Sequence, residues 1–135
     1  MWASVVWNML EFGAAHRTEG ARPGINDKGL VTHDRKIKKD AYYFYRANWN
    51  PEPMIYIAGR RNVNRVKPLV DVQVFSNVEE VILIVNDCQC GKMKPDSLKV
   101  CLFKDVPLRK GRNEIEVRAN DSKKQLIDRC TWILQ

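Results

Sequence analysis

The chain has 135 residues, of which 44% are hydrophobic and 29% are charged, and its formal net charge is +7. This composition is typical of a folded globular protein and excludes a disordered or fibrous chain. The length allows one ordinary domain, or a small domain with a fragment of another, and the positive charge favours anionic partners without identifying one.

Residues 1–13 form a nearly continuous apolar run, which predicts a β-strand. Val5, Val6 and Trp7 favour strand structure, and an apolar run without alternation is typical of a strand buried on both faces, as in an α/β barrel. Such a strand needs neighbours, so we expect it to self-associate when it has none. The run is too short to cross a bilayer and lacks the basic start of a signal peptide, so we expect no membrane partner.

The next two elements are a loop and a helix. Residues 14–31 are polar and rich in glycine, which predicts a long loop of the kind that more often than not carries function. Residues 34–48 predict a helix, with Asp34 as its N-cap. Its solvent-facing side carries the basic residues Arg35, Lys36, Lys38 and Lys39. The apolar side chains that recur at helical spacing are Ile37, Ala41, Phe44 and Tyr45. Two prolines, at positions 51 and 53, then mark a boundary.

After the prolines the hydrophobic period changes to two, which predicts β-strands. We expect strands at residues 54–58, 70–75, 80–85, 98–103, 113–119 and 130–134, with a further short one at 125–127. Turn residues separate these segments. Six or seven short strands at this spacing predict an immunoglobulin-like β-sandwich.

The four cysteines do not form a recognisable metal-binding motif. Cys88 and Cys90 are separated by a single residue, which is not the spacing of a zinc knuckle, and no histidine lies near them. We therefore expect no metal and no cofactor. A disulfide between Cys101 and Cys130 stays open.

Several segments of the first half carry a family resemblance. They are WNMLEF at 7–12, GINDKGLV at 24–31, DRK at 34–36 and KKDAYYFY at 38–45. In this order they resemble the end of the barrel in family 2 glycoside hydrolases, the bacterial β-galactosidase and β-glucuronidase group. The resemblance implies a mainly β chain, in which residues 1–50 are the last strand, loop and helix of a TIM (β/α)8 barrel and residues 51–135 are the Ig-like β-sandwich.

The same resemblance implies a set of site residues. Trp7 matches a tryptophan that forms the floor under the reacting sugar, where an indole offers a flat apolar face. Asn26 and Lys28 match an Asn-x-Lys pair that holds the sugar carboxylate in the glucuronidase branch. Glu11 stands where related sequences commonly have Asp, and we expect it to orient the loop, through Arg17.

We expect no catalytic residue in this chain. The family's acid and nucleophile are glutamates on earlier barrel strands, and no residue of this chain matches their motifs. Retaining glycosidases need two carboxyl groups about 5 Å apart, and Glu11, Glu19 and Asp27 have no barrel to fix that distance. The resemblance thus implies an inactive C-terminal fragment of a glycosidase for β-galactosides or β-glucuronides. Its expected partners are the rest of the glycosidase chain and carbohydrate, and its relatives are often periplasmic or secreted.

Two other functions stay open at this point. The β-sandwich could bind carbohydrate or another protein without catalysis, which the fold permits but does not imply. The basic residues at 35–39 and 60–67 could bind nucleic acid. Dedicated nucleic-acid modules concentrate charge and aromatic residues more than this chain does, so we expect no nucleic-acid partner.

Overall fold

The computed structural model describes residues 5–18, 20, 22–120 and 124–135. The chain divides into two compact units, Met1–Tyr43 and Phe44–Gln135, which are called the N-terminal unit and the C-terminal unit below. The division falls within helix α1, which spans Asp40–Trp49. Across the described ranges, no helix has the length and apolar character needed to cross a membrane.

The N-terminal unit is built from short backbone pairings rather than long strands. Strand β1 (Phe12–Gly13) pairs antiparallel with strand β2 (Ile25–Asn26). Val31 lies between two neighbouring segments, with a parallel bridge to Leu10 and an antiparallel bridge to Lys38. Backbone hydrogen bonds from residues 30 and 31 to the carbonyls of residues 8 and 9 complete this arrangement.

The prediction of one buried strand at residues 1–13 is wrong for most of the run. Residues 1–4 lie outside the described part, and of the remainder only Phe12 and Gly13 belong to a strand. The side chains of Val5, Trp7 and Met9 are exposed. The physical reason is that an apolar run becomes a buried strand only when other segments cover its side chains. Residues 30 and 31 hydrogen-bond to the carbonyls of residues 8 and 9, but the side chains of Val5, Trp7 and Met9 stay exposed.

Helix α1 begins six residues later than the sequence predicts. Asp34 caps a turn instead: its Oδ1 accepts hydrogen bonds from the Thr32 hydroxyl (2.5 Å) and from the Lys36 backbone N–H (3.2 Å). Arg35 has a φ of 61°, which a right-handed helix does not allow. The basic residues 35–39 therefore precede the helix and do not line its outer face. Starting at Asp40 places an acidic residue in the first turn, where the helix dipole favours it.

The C-terminal unit is a sandwich of two β-sheets. The five-stranded sheet has the order β4-β10-β9-β6-β7 and the three-stranded sheet has the order β3-β5-β8. Their bounds are β3 Ile55–Ile57, β4 Asn64–Arg65, β5 Leu69–Ser76, β6 Val81–Val85, β7 Cys88–Met93, β8 Val100–Pro107, β9 Gly111–Asn120 and β10 Gln125–Leu134. The pairings within both sheets are antiparallel except that of β4 with β10.

Alternate side chains of the two sheets meet in one apolar core. Val74 and Phe103 enter it from the three-stranded sheet, and Leu83, Val117 and Trp132 enter it from the five-stranded sheet. The period-two pattern of the sequence is therefore the pattern of core-facing positions. The predictions of a mainly β chain and of a β-sandwich are confirmed.

The strand predictions are wrong in three places. Residues 125–127 and 130–134 form one continuous strand, β10, and the sequence gives no signal for β4 or β7. Strand β7 has a polar, glycine-containing sequence, and its position is set by the turn before it. Asn86 and Asp87 have φ values of 51° and 67°, and positive φ at both central residues is the mark of a type I′ hairpin turn. Gly91 lies inside β7, where a methyl group would be 3.0 Å from the Phe103 ring.

The four cysteines are free thiols, so the disulfide between Cys101 and Cys130 is absent. Both of these residues lie against the core. Burial raises the pKa of each thiol to about 11, which keeps both protonated at neutral pH.

A pair of matched substitutions tests where the core lies. We expect Leu83→Ala, at a fully buried position, to lower the free energy of unfolding by about 2–5 kcal/mol because it leaves a cavity between the sheets. The control Leu102→Ala removes the same atoms from a side chain that is 41% exposed, and we expect it to cost less than about 1 kcal/mol. Urea unfolding followed by tryptophan fluorescence measures both. Equal costs for the two variants would contradict this location of the core.

Candidate functional site

The five residues that the sequence nominates for the site lie in the N-terminal unit: Trp7, Glu11, Arg17, Asn26 and Lys28. Glu11 is buried. Arg17 and Asn26 are half-buried, and Lys28 and Trp7 are exposed. The structure brings four of these residues into one connected network, and its centre is Glu11.

The Glu11 carboxylate is enclosed, with only 2% of its side chain exposed. Its Oε1 lies 2.5 Å from the Lys39 ammonium, and its Oε2 lies 2.5 Å from the Arg22 guanidinium. The backbone N–H of His33 also donates to Oε2, at 2.9 Å. A carboxylate that leaves water must replace its lost hydration with such partners. Both oxygens of Glu11 have at least one cationic partner.

The pKa of Glu11 lies below its ordinary value of 4.5. Burial alone would raise it, but the hydrogen bond from Lys39, the backbone hydrogen bond from His33 and the charges of Lys39 and Arg22 outweigh burial. Glu11 is therefore held as an anion. A general acid needs a raised pKa and a free oxygen, so this geometry suits an anchor for the loop rather than proton transfer.

Two cations extend the network from Glu11 to the loop that carries Asn26 and Lys28. The Lys39 ammonium donates a second hydrogen bond, of 2.6 Å, to the backbone carbonyl of Asp27. The Asp27 carboxylate lies 3.8 Å from the Arg17 guanidinium. Asp27 is thus held at both its main chain and its side chain.

Asn26, Asp27 and Lys28 form a tight turn, which is called the Asn-x-Lys turn below. The Asn26 Oδ1 accepts a hydrogen bond of 3.1 Å from the backbone N–H of Lys28, as in an Asx-turn. The Lys28 ammonium has no ion pair or hydrogen bond to any residue that the structure describes. The turn therefore presents a cation whose charge is not neutralised by this part of the chain.

A pocket of about 450 Å³ opens beside the turn. It is lined by Phe12, Ala14, His16, Arg17, Thr18 and Asn26. Trp7 and Lys28 are not among its lining residues. Asn26 and Arg17 are thereby placed at one cavity, whereas Trp7 keeps 70% of its surface exposed and its peptide bond to Asn8 is cis.

Two members of the network, Arg22 and Lys39, do not stand out in the sequence. Arg22 lies in the loop with nothing nearby to mark it, and Lys39 belongs to a basic run that helical spacing assigns to a solvated face. The available signal was Glu11 itself, because a carboxylate in an apolar run must find cations. Within the described residues, no group of three or more His, Cys, Asp or Glu side chains could hold a metal ion.

The chain was compared with known proteins by sequence and by structure. No protein-family model matches the chain. A β-glucuronidase of Bacteroides fragilis is 52% identical over 132 residues, which are 97% of this chain and 19% of that protein. An FMN-binding β-glucuronidase from Faecalibacterium prausnitzii L2-6 has a crystal structure that is 40% identical, with a TM-score of 0.88 over 99% of this chain and 20% of that one. A putative β-galactosidase from Bacteroides fragilis is 34% identical, with a TM-score of 0.90 over 96% of this chain and 19% of that one.

The chain spans about a fifth of the length of these three proteins. It is homologous to a C-terminal portion of the bacterial β-glucuronidase and β-galactosidase group. The resemblance to family 2 glycoside hydrolases that the sequence segments carry is confirmed.

Gly29 provides a test of how the turn is seated. A methyl group at position 29 would lie 2.2 Å from the backbone nitrogen of Glu11 and 2.4 Å from the carbonyl carbon of Leu10. We expect Gly29→Ala to force these segments apart and to speed hydrogen exchange at the Val31 amide, which donates to the Met9 carbonyl, by at least about tenfold. The control Gly13→Ala meets no atom within 4 Å. Unchanged exchange in Gly29→Ala, measured by NMR, would refute the close contact.

Proposed function

We propose that this chain, a homologue of the C-terminal portion of bacterial β-glucuronidases and β-galactosidases, completes the sugar-binding site of a glycoside hydrolase that acts on β-glucuronides. In the complete enzyme, residues 1–50 would be the last strand, loop and helix of the TIM barrel, and residues 51–135 would be an accessory β-sandwich. The name of a relative supports this reading, since the Bacteroides fragilis protein that matches 97% of this chain is a β-glucuronidase.

The observation that carries the proposal is the unneutralised charge of Lys28. Arg17, Arg22 and Lys39 each lie against a carboxylate of this unit, but the Lys28 ammonium has no partner among the described residues. The exposed Lys28 ammonium is accessible to an anionic ligand, and a glucuronide has a carboxylate that a neutral glycoside lacks. Lys28 would therefore bind that carboxylate.

Asn26 and Trp7 have complementary tasks in this proposal. Asn26 lines the pocket, and its Oδ1 is already used by the Lys28 N–H, so its amide NH2 is the group left to donate to the sugar. Trp7 would lie under the sugar ring, and its indole is 70% exposed, so its apolar face is available. Glu11 and Arg17 would hold the loop that carries these groups.

The exposed apolar residues near the N-terminus fit a segment that is covered in a larger protein. Val5, Trp7 and Met9 expose most of their side chains, a pattern that marks a binding surface. In the proposal they pack against the rest of the barrel, or against another copy of the chain when the barrel is missing. The catalytic acid and nucleophile would come from that remainder, so this chain alone would not hydrolyse glycosides.

The test needs a complete enzyme that carries this segment. It can be built by replacing the 132 matched residues of the Bacteroides fragilis β-glucuronidase with those of this chain. We expect Lys28→Met to lower kcat/KM for an aryl β-glucuronide by about 10- to 100-fold, because a hydrogen bond between charged groups is worth about 1.5–3 kcal/mol. The matched control is Lys36→Met, which removes an exposed ammonium from the same unit.

A neutral substrate shows whether Lys28→Met affects binding of the carboxylate or lowers activity in general. We expect Lys28→Met to change kcat/KM for the corresponding aryl β-galactoside by less than about twofold, since that sugar has no carboxylate. Equal losses on both substrates, or an unchanged kcat/KM for the glucuronide, would contradict the role of Lys28. A chimera that hydrolyses only the galactoside would favour the β-galactosidase function.

A further inference from the structure

Lys39 connects the buried carboxylate of the unit to the turn that carries the candidate sugar-acid site. Its ammonium lies 2.5 Å from Oε1 of Glu11 and donates a hydrogen bond of 2.6 Å to the carbonyl of Asp27. Asp27 is the central residue of the Asn-x-Lys turn, so this bond fixes the backbone between Asn26 and Lys28. One ammonium thereby neutralises the Glu11 carboxylate and holds the backbone of the turn.

The backbones of Lys39 and Glu11 both hydrogen-bond to the same short segment, residues 30 and 31. The Lys39 backbone N–H donates to the Leu30 carbonyl at 2.8 Å, and the Glu11 backbone N–H donates to the Val31 carbonyl at 3.0 Å. Residues 30 and 31 follow the turn after a single residue, Gly29. The backbones of Glu11 and Lys39 are therefore both held by residues 30 and 31. The ion pair between their side chains then links the two residues a second time.

The length of the glutamate side chain is part of the arrangement. Its two oxygens reach Lys39 on one side, and Arg22 with the His33 N–H on the other. An aspartate at position 11 is one methylene shorter. With its backbone held at Val31, it would lose either the contact with Lys39 or the contacts with Arg22 and the His33 N–H. Position 11 and position 39 are therefore matched in this chain.

We propose that Glu11 and Lys39 form a clamp that positions the Asn-x-Lys turn, and hence the Lys28 ammonium, for the carboxylate of an acidic sugar. This inference rests on the proposed function for its ligand. Its structural half, the fixing of the turn by Lys39, does not depend on the sugar. Glu11 and Lys39 are positioning residues, because they act through the turn and do not touch the ligand.

Hydrogen–deuterium exchange on the 135-residue chain tests the structural half. We expect Lys39→Met, which keeps the aliphatic stem and removes the charge, to speed exchange in peptides that cover residues 24–30 by at least about fivefold. Lys39→Arg can still reach both Glu11 and Asp27, and we expect it to retain most of the protection. Lys36→Met is the matched control, and we expect it to leave these peptides unchanged. Equal exchange in the wild type and Lys39→Met would overturn the clamp.

A double-mutant cycle in the chimeric enzyme tests the link to the sugar. If Lys39 acts through Lys28, then Lys39→Met lowers kcat/KM for the aryl β-glucuronide, mainly by raising KM, and the double variant with Lys28→Met is no worse than Lys28→Met alone. Losses that add in the double variant would overturn the positioning role.

The two measurements separate the possible failures. If Lys28→Met leaves glucuronide hydrolysis unchanged, the proposed function fails and the acidic-sugar role of the clamp is overturned with it. Exchange in peptides 24–30 then still decides whether Lys39 fixes the turn. If Lys28→Met lowers glucuronide hydrolysis but Lys39→Met leaves both exchange and KM unchanged, the proposed function stands and the clamp is overturned.

Discussion

The N-terminal unit depends on keeping the Glu11 carboxylate charged in a place that water hardly reaches. Taking a carboxylate out of water costs several kcal/mol unless cations and N–H groups replace its hydration. Its partners come from positions 22, 33 and 39, which lie far apart in the sequence. Satisfying this one group therefore draws the loop segments together and gives the unit an ordered centre without a large apolar core.

The C-terminal unit is ordered by the opposite means. Its core is apolar and lies between two sheets, with side chains such as Leu83, Val117 and Trp132 almost free of solvent. Such a core is insensitive to moderate changes of pH and salt, whereas a cluster built on ion pairs responds to both. One chain thus combines a β-sandwich ordered by an apolar core with a unit ordered by a buried charge and its partners.

Sequence reasoning reached the sandwich because period-two alternation reports directly on which residues face a core. It missed β7 because the residues from Cys88 to Met93 are polar, and their pairing is imposed by the turn at Asn86 and Asp87. It placed the helix start at Asp34 because a capping aspartate looks the same in a helix and in a turn; the positive φ of Arg35 is invisible in the sequence. Likewise, the family resemblance could nominate Glu11 as an anchor. Its pairing with Arg22 and Lys39 depends on the path of the loop in three dimensions, which the sequence does not show.

The central claim is that Glu11 is a buried anion stabilised by its partners, and its own titration tests this most directly. The side-chain carboxyl carbon of Glu11 can be followed by ¹³C NMR in the 135-residue chain as the pH is lowered. Since the hydrogen bonds and the charges of Lys39 and Arg22 outweigh burial, the pKa should lie below the ordinary value of 4.5. A pKa at or above 4.5 would mean that burial is not compensated, and would contradict the account of Glu11 as the anchor of the loop.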